Sequence, residues 1–524
     1  MFDVVITGGT IIDGTGSPRR RGDVAIQGDR VSEIGDLQNA EAREAIDAAG
    51  KIVAPGFVDV HNHSDGWMLK RPQLAAKTTQ GFTSEVIMAD GVGYAPVSEE
   101  TARHWLFYLR ALDALRMDEY QGWESIAEFM SAIDGANVQN AATHIPYANV
   151  RSLACGFGPR VVDDFQMRQI KADIALGMEQ GAVGLSTGLD YIVQCYATTD
   201  ELVEALSPVA EYDGLYVTHV RYKTGLLRAL REAVEIGRRS GAKVHISHLK
   251  GQSPGEVDEV LGYIDKVARN EVDFSFDVYP YQPGSTMLGY LLPYEAWEDG
   301  PLAVLGKLGQ PEIRALFARG LQAYRLELDR IRIVWVGGKE NAPVQGMLVS
   351  EYVEEMGLPA EEALLNLLIE ERMAVLLVFE EGDDRLIHPF LQHDLYMLGT
   401  DGIYFPDGRV HPRAIGSAPR LLGPYVRDLA LFSLEEAVAK LSGRSAARFG
   451  LTDRGVLRQG AFADVVVFDA ETIADRATYD DPHQLSIGVE HVLVNGRRIL
   501  AGGEPKDDLE LPLPGRYLRF HGRE

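Results

Sequence analysis

Two histidines separated by one residue are the strongest chemical signal in this chain of 524 residues. His61 and His63 stand in the run Val-Asp-Val-His-Asn-His, whose apolar beginning is typical of a strand that ends in a polar loop. Residues two apart on an extended strand point to the same side, so the two imidazoles can bind one metal ion together. A chance H-x-H pair in a surface loop is the alternative, and the pair alone does not decide between them.

Three further residues stand where a predicted strand gives way to a loop. His219 closes Gly-Leu-Tyr-Val-Thr-His, His248 closes Lys-Val-His-Ile-Ser-His, and Asp401 follows Leu-Gly-Thr. Strand alternation puts His245 on the face opposite to His248, and we interpret His245 as a packed residue rather than a ligand. Four histidines and one aspartate, each at a strand end, therefore predict a metal centre.

These strand ends belong to an alternation of strands and helical segments that runs from about residue 55 to residue 449. Apolar residues at helical spacing, as in 198–212 and 226–237, separate the predicted strands. The predicted strands are Phe57–His61, Ser84–Ala89, Ala141–His144, Ala182–Leu185, Leu215–His219, Lys243–His248, Val272–Asp277 and Tyr396–Thr400. Strands in such alternation with helices predict an α/β protein of the (β/α)8 barrel type, with its chemistry at the carboxyl ends of the strands.

The two ends of the chain predict a second, smaller unit. Residues 1–56 and 450–524 both contain short β-rich runs separated by turn signals, among them the hairpin pair Asn495-Gly496. We expect the two ends to pair into one small β-sandwich domain, with the barrel at 57–449 between them. The stretch 294–357 fits no strand–helix unit and is predicted to be an insertion in the barrel.

The amino-acid composition argues against nucleic acids and membranes as binding partners. Lys and Arg number 51 against 77 Asp and Glu, a formal net charge of −26, and phosphate backbones and anionic lipid surfaces would repel such a chain. The sequence shows no leader-like segment and no apolar run of membrane length, and its two cysteines, Cys155 and Cys195, cannot build a disulfide framework. We expect a cytoplasmic protein with a small-molecule substrate and no nucleic-acid or membrane partner. Its oligomeric state stays open, with a homo-oligomer among the alternatives.

Many stretches, in the same order along nearly the whole chain, resemble the N-acyl-D-amino-acid deacylase (D-aminoacylase) family of the amidohydrolase superfamily. These stretches are Pro55–His63, Gln80–Thr83, Gly184–Leu189, Tyr196–Glu201, Ser247–Lys250, Tyr279–Tyr281, Gly284–Thr286, His411–Arg413, Asp453–Gly455 and Ala463–Asp464. The resemblance implies a barrel enzyme that binds one or two divalent metal ions, with zinc as the first candidate. It implies hydrolysis of N-acyl-D-amino acids to a carboxylate and a free D-amino acid.

The resemblance also implies roles for single residues. His219 and His248 would bind the firmly held zinc together with a ligand from the end of the second strand, and His61 and His63 would lie at the second metal position. Asp401, itself within reach of the metal, would be the general base that takes a proton from the activated water and passes it to the leaving amine.

One position departs from the family pattern. The family has a cysteine ligand in an Asn-Cys-Gly context after the second strand, whereas this chain has Asp90 in Ala-Asp-Gly. We hypothesise that the Asp90 carboxylate replaces the thiolate and bridges the ions, which makes manganese or cobalt more competitive with zinc. Glu85 is the other acid nearby, but it would face the opposite side of a regular strand, so we favour Asp90.

For the substrate's α-carboxylate, the resemblance suggests Lys250, Tyr281 and Arg413, with Arg221 as a weaker candidate. Arginine offers a planar fork of donors, lysine a point charge and tyrosine a hydroxyl. Ordinary solvated surface charge is the alternative for the lysine and the arginines.

Two other functions stay open from the sequence. A dipeptidase, or another amidase that cleaves an amide next to a carboxylate, would use the same residues. A non-catalytic homologue, kept as a structural or interaction protein, would usually have lost metal ligands or the base, and this chain has both.

Overall fold

The computed structural model describes residues 1–324, 326–380 and 382–522. Parallel strands β1 to β8 run through its centre in chain order. Their bounds are Phe57–Asp59, Phe82–Ile87, Asn140–Thr143, Gly184–Gly188, Leu215–His219, Lys243–Ile246, Phe274–Asp277 and Tyr396–Met397. Neighbouring strands pair in parallel. Between β3 and β4 the Val183 amide donates to the Thr143 carbonyl at 2.9 Å and the segment Ile145–Pro146 pairs in parallel with β4, and between β8 and β1 the Val60 amide donates to the Leu398 carbonyl at 3.4 Å. The strands thus close into the expected (β/α)8 barrel.

The strands lie where the sequence predicts them, and β5 agrees residue by residue. All five of its residues are buried, as expected for a parallel strand covered on both faces. The ladder of β8 ends at Met397, three residues before the predicted end at Thr400. Beyond this end, Asp401 adopts a left-handed backbone conformation, with φ +47°.

Helices cover the outside of the barrel and fill the longer connections. The helix Leu226–Ser240 buries one face, because its apolar residues recur at three- and four-residue spacing. The predicted helical run 198–212 forms two helices, Thr199–Ala205 and Ser207–Glu211, the second of which has Pro208 in its first turn. Among the described residues, the other α-helices of eight or more residues are Glu99–Tyr108, Ile126–Ile133, Tyr147–Cys155, Asp164–Glu179, Pro254–Tyr263, Pro311–Tyr324, Val349–Met356, Ala360–Glu370, Arg413–Arg420 and Leu434–Leu441.

Both ends of the chain form a sandwich of two sheets, as predicted. One sheet has the strand order Arg30–Gly35, Asp23–Gln27, Phe2–Thr7 and Ala42–Asp47. The other sheet has the order Glu504–Pro505, Arg497–Ala501, Val489–Val494, Val465–Phe468, Ile52–Pro55, Thr10–Ile11 and Arg20–Arg21. Val465–Phe468 pairs antiparallel with Ile52–Pro55, so the two termini share one sheet. A buried cluster that includes Ile6, Ile26, Val465 and Leu493 joins the two sheets. The domain limits at 56/57 and 449/450 stay a prediction, and residues 523 and 524 lie outside the described part.

A further antiparallel sheet lies in the connection between β7 and β8. Its strands are Gly284–Met287, Val375–Phe379 and Ile331–Val336, with the second in the middle. The predicted insertion at 294–357, of which residue 325 lies outside the described part, falls within this connection. Among the described residues, no helix combines the length and the apolar character that crossing a bilayer requires.

Candidate active site

A cavity of about 400 Å³ opens at the carboxyl ends of the barrel strands. This is the end of a (β/α)8 barrel at which enzymes of this architecture carry their chemistry. Its wall combines imidazoles and carboxylates with cations, tyrosines and a few apolar side chains. The charged and imidazole residues in the wall are His63, Asp90, His219, Lys223, His248, Lys250, Asp401 and Arg413.

The first and last strands of the barrel bring His61, His63 and Asp401 together. The Asp401 amide donates to the His61 carbonyl at 2.8 Å, and the short strands Asn62–His63 and Gly402–Ile403 pair in parallel. Asp401 Oδ1 lies 3.1 Å from His63 Nε2 and 3.8 Å from His61 Nε2. The backbone pairing therefore fixes this triplet before any ligand binds.

Asp90 lies between the histidines of β1 and His248. Its Oδ1 is 3.6 Å from both His61 Nε2 and His248 Nε2, and its Oδ2 is 3.7 Å from His63 Nε2. Glu85 points elsewhere: its carboxylate accepts a hydrogen bond from Ser64 Oγ at 2.6 Å. Of the two acids considered from the sequence, the structure brings Asp90 to the cluster.

His219 and His248 complete the cluster from β5 and from the loop after β6. His219 Nδ1 lies 3.0 Å from His248 Nε2, so the two imidazoles present nitrogen atoms to the same point. The other nitrogen of His219 faces Asp190 Oδ2 at 3.4 Å, and that of His248 faces the Tyr222 hydroxyl at 3.3 Å. Each imidazole therefore has one nitrogen turned to the cluster and one to a neighbouring group.

The donor atoms of the cluster fit a divalent metal ion. His61 Nε2 and Asp90 Oδ1 are buried and have no hydrogen-bond partner among the described residues, which is costly unless another group satisfies them. Two triplets, His61/Asp90/His248 and His61/His63/Asp401, hold their ligand atoms within 4.8 Å of one another. Bonds of about 2.0–2.2 Å to nitrogen and oxygen would bring such atoms into one coordination sphere.

The charges in the cluster favour ionised carboxylates. Burial alone would raise the pKa of Asp90, but His61 and His248 hold it well below its usual value. Burial opposes ionisation of Asp401 too, yet Arg413 and His63 lower the pKa of this carboxyl. Both acids are therefore in the anionic form that binds metal ions and accepts protons.

Arg413 stands beside Asp401 at the cavity wall, and Lys250 lines the same cavity. Arg413 Nη1 lies 2.8 Å from Asp401 Oδ2, and its guanidinium stacks 4.4 Å above the Tyr279 ring. Lys250 Nζ donates to the Tyr279 hydroxyl at 2.6 Å and to the Gln282 carbonyl at 2.8 Å. Burial, with Arg413 nearby, lowers the pKa of Lys250 to about 7. Together these groups form a positive patch in an acidic chain.

Comparison with known proteins identifies the family. Residues 44–261 and 392–500 match the amidohydrolase family. The chain is also 36% identical to the N-acyl-D-glutamate deacylase of Alcaligenes xylosoxydans xylosoxydans, over 99% of this chain and 96% of that protein. The chain belongs to the amidohydrolase family.

Two more relatives of this amidohydrolase cover nearly its full length. The D-aminoacylase of Alcaligenes xylosoxydans xylosoxydans is 34% identical over 94% of each chain. The crystal structure of N-acyl-D-glutamate deacylase from Bordetella bronchiseptica, complexed with zinc and a phosphonate inhibitor that mimics the tetrahedral intermediate, superimposes with a TM-score of 0.83 at 33% identity. It covers 99% of both chains.

Two acids that the sequence analysis missed orient the histidines of this amidohydrolase. Asp277, the last residue of β7, accepts from the His248 amide at 2.9 Å and faces His245 Nε2 at 3.0 Å and His61 Nδ1 at 3.6 Å. Asp190 plays the same part for His219. Carboxylates behind the ligands hold imidazoles in one tautomer and orientation. The position of Asp277 at a strand end was the signal that could have revealed it.

The structure corrects the assignment of Tyr281. Its hydroxyl donates to Asp475 Oδ2 at 3.1 Å, and its ring lies 4.3 Å below the Arg420 guanidinium, away from the cavity that holds the cluster. Tyr279 lines that cavity instead. The intervening Pro280 lies beyond the end of β7, where strand alternation no longer determines the direction of side chains.

Arg221 is the second correction. Its guanidinium donates to the carbonyls of Leu189, Cys195 and Ala197 and pairs with Glu232, with distances of 2.9–3.4 Å. These bonds commit its donors to the loop after β4, so Arg221 organises that loop rather than lining the cavity. His245 lies outside the cavity wall and is buried against Phe449, but its Nε2 and His61 Nδ1 face the same Asp277 oxygen, so it lies beneath the cluster rather than on the opposite face of the strand.

Proposed function

We propose that this amidohydrolase cleaves N-acyl-D-amino acids into a carboxylate and a free D-amino acid with the help of one or two divalent metal ions. The observation that carries the proposal is the contact between Arg413 and Asp401, 2.8 Å apart, which joins a carboxylate-binding patch to the imidazole–carboxylate cluster. A substrate whose α-carboxylate lies on the patch presents its neighbouring amide to the cluster. The full-length similarity to deacylases of N-acyl-D-amino acids supports the same substrate class.

The metal ligands in this proposal lie at the carboxyl ends of five barrel strands, β1, β2, β5, β6 and β8, or in the loops that follow them. When bound, a divalent ion lowers the pKa of a coordinated water towards 7 and polarises the scissile carbonyl. Zinc is the first candidate, and manganese or cobalt becomes competitive because Asp90 adds a hard oxygen ligand. The proposed ligands are His61, His63, Asp90, His219, His248 and Asp401.

Asp401 is the proposed general base. Its Oδ1 faces His63 and its Oδ2 faces Arg413, so the ionised carboxylate stands between the cluster and the patch. From there it can accept a proton from the attacking water and deliver it to the nitrogen that leaves with the amino acid. The lowered pKa of Asp401 keeps it ionised and ready for the first of these steps.

Lys250, Arg413 and Tyr279 are proposed to hold the α-carboxylate. Arg413 supplies a planar fork, and Lys250 and Tyr279 supply a charge and a hydroxyl that already touch each other at 2.6 Å. Fixed donors of this kind orient the amide for attack without further rearrangement. Recognition of the anion explains how a chain of net charge −26 can take an acidic substrate.

Turnover of a substrate panel tests the proposal. Metal-loaded protein is assayed with N-acetyl-D-amino acids, their L enantiomers and dipeptides, and Asp401→Asn serves as the inactive control. We expect release of free D-amino acids, and a loss of at least about 10²-fold in the variant because the proton relay is removed. A strict L preference would defeat the proposal, and faster cleavage of dipeptides would favour the dipeptidase alternative.

A further inference from the structure

A fully buried lysine lies outside the cavity, between the first two barrel strands. Lys77 Nζ contacts the carboxylate of Asp59 at the end of β1 and lies 3.1 Å from Glu85 Oε2 on β2. The three side chains are at most 1% exposed. Burial alone would lower the pKa of Lys77, but the two carboxylates raise it, so the lysine remains an ammonium ion.

One arm of this cluster reaches the proposed base. Asp59 Oδ1 accepts from the Thr400 amide at 2.9 Å, and Asp59 Oδ2 accepts from the Thr400 hydroxyl at 2.7 Å. Thr400 directly precedes Asp401, whose own amide donates to the His61 carbonyl at 2.8 Å. The carboxylate held by Lys77 therefore fixes the backbone on which Asp401 turns.

The other arm reaches the H-x-H segment. Glu85 Oε2 accepts from the Ser64 hydroxyl at 2.6 Å, and the Ser64 amide donates to Asn62 Oδ1 at 3.1 Å. Asn62 in turn donates to the Val86 carbonyl of β2 at 3.3 Å. Asn62 and Ser64 flank His63, so this arm holds the backbone of the two histidines against β2.

We propose that Lys77 is a positioning residue that sets the relative placement of the His61/His63 segment and Asp401 for metal binding. The inference rests on the proposed metal centre and goes beyond it, because Lys77, Asp59 and Glu85 line no part of the cavity. A buried ion cluster contributes little net stability compared with apolar packing of the same volume. These charges instead make directional hydrogen bonds to the segments that carry His63 and Asp401, which are more than three hundred residues apart in sequence.

Two variants test the inference. The double variant Lys77→Met/Glu85→Gln removes the ammonium without leaving an extra buried charge. The single variant Thr400→Val removes the hydrogen bond from the Thr400 hydroxyl to Asp59 and keeps the ion cluster. The matched control is Arg454→Met with Asp464→Asn, which removes another buried ion pair, one that has its partners among the terminal segments and β3. Chelator competition measures zinc affinity, and the Tm of the metal-free protein measures its stability. Steady-state kinetics give kcat and KM.

We expect both test variants to bind zinc roughly 10–100-fold more weakly, the usual cost of removing a partner behind a metal ligand. We expect kcat to fall with less change in KM, whereas the control loses Tm and keeps its zinc affinity. If the double variant does not fold, the zinc affinity of Thr400→Val alone tests the inference. Zinc affinity within about twofold of the parent in the folded variants would overturn the inference. A parent protein that binds no metal would instead defeat the proposed function.

Discussion

At the scale of single residues, Asp90 is the proposed ligand that we expect to influence most strongly which metal ion binds. Its two oxygens face different imidazoles, with Oδ1 3.6 Å from His61 and His248 and Oδ2 3.7 Å from His63. This arrangement suits a carboxylate that bridges two ions or binds one tightly. The resemblance predicts a thiolate here, and as a ligand the carboxylate would make the donor set harder and less selective for zinc.

Replacement of Asp90 gives a direct test. We expect Asp90→Ala to lose at least one equivalent of metal per chain, because the two oxygens of Asp90 face three of the proposed imidazole ligands. We expect Asp90→Cys to regain zinc in preference to manganese, since a thiolate is the softer ligand. Elemental analysis after dialysis against each metal measures both effects, with the exposed Asp258→Ala as control. Unchanged stoichiometry in Asp90→Ala would show that Asp90 is not a ligand.

A second residue-scale prediction separates Tyr279 from Tyr281. Tyr279→Phe removes the hydroxyl that accepts a hydrogen bond from Lys250 at 2.6 Å. We expect KM for an N-acyl-D-amino acid to rise roughly tenfold, because a hydrogen bond to a charged group contributes about 1.5 kcal/mol or more. Tyr281→Phe cuts only the contact with Asp475 and should leave KM unchanged. Steady-state kinetics of both variants measure the two KM values. An equal rise in KM in both would show that Tyr281 also takes part in substrate binding.

At the scale of elements, hydrogen bonds from β4 and from the loop after it hold the loop that carries Asp90. The Ser186 hydroxyl donates to the Met88 carbonyl at 2.6 Å, and Gln194 Nε2 donates to the Asp90 carbonyl at 2.9 Å. Met88 and Asp90 both have left-handed backbone angles, with φ +59° and +56°, which cost free energy in residues other than glycine. The bonds from β4 and the loop after it stabilise this conformation and so determine where the carboxylate lies.

A substitution of Gly188, at the end of β4, tests whether contacts with β4 determine the position of the Asp90 loop. A Cβ atom there would lie 2.3 Å from the Asp90 carbonyl oxygen, so Gly188→Ala must displace the loop. We expect a loss of about 1–3 kcal/mol in stability from overpacking, together with weaker metal binding. Gly262→Ala is the control, because the helix Pro254–Tyr263 leaves open space there and alanine should stabilise it by roughly 0.5–1 kcal/mol. Chelator competition and Tm measure the two effects, and an unchanged zinc affinity in Gly188→Ala would contradict the prediction.

At the scale of the whole molecule, the end of the chain closes the barrel. The Leu518 amide donates to the Ala141 carbonyl at 2.8 Å and the Phe520 amide to the Gly181 carbonyl at 2.9 Å. The side chains of both residues pack against a buried cluster of barrel residues that includes Val58 and Val217. The barrel and the terminal segments therefore stabilise each other, and their stability can be followed as one property.

Stability should depend on pH through Lys440, a fully buried residue of the helix Leu434–Leu441. Burial lowers its pKa to about 8, although Glu436 opposes the shift. Below pH 8 the folded protein bears the cost of a buried charge. Between pH 8 and about 10.4 the unfolded chain still holds the proton that the folded chain has released, so this group makes stability rise with pH.

We therefore expect Lys440→Met to be more stable than the parent at pH 7, by roughly 1–2 kcal/mol after the lost hydrogen bond to the His393 carbonyl is subtracted. The difference should shrink as pH rises from 8 to 10. Thermal unfolding across this range measures it, and the exposed Lys266→Met should keep the parent's profile. A difference in Tm that does not vary with pH would contradict the assignment.

The sequence by itself determined the barrel and the principal members of the cluster. Strand alternation and the change from strand to loop are local properties, so they located His61, His63, His219 and β5 without knowledge of any distant contact. The same reasoning reached Asp401, whereas Asp90 was reached only through the resemblance, which pointed to it by position. Periodicity and ordered motifs thus sufficed for the residues that follow strand ends.

Only the tertiary structure decided which side chains beyond the strand ends enter the cavity. Tyr279 and Tyr281 stand two residues apart in an irregular segment. Asp475 and Arg420 hold the side chain of Tyr281, whereas Lys250 and Arg413 hold that of Tyr279. The two partners of Lys77 lie on separate strands, and one of them, Asp59, accepts from Thr400 on the loop after β8, so these bonds depend on the closure of the barrel. Contacts between segments far apart in sequence leave no periodic pattern in either segment, and for that physical reason they become visible only in the folded molecule.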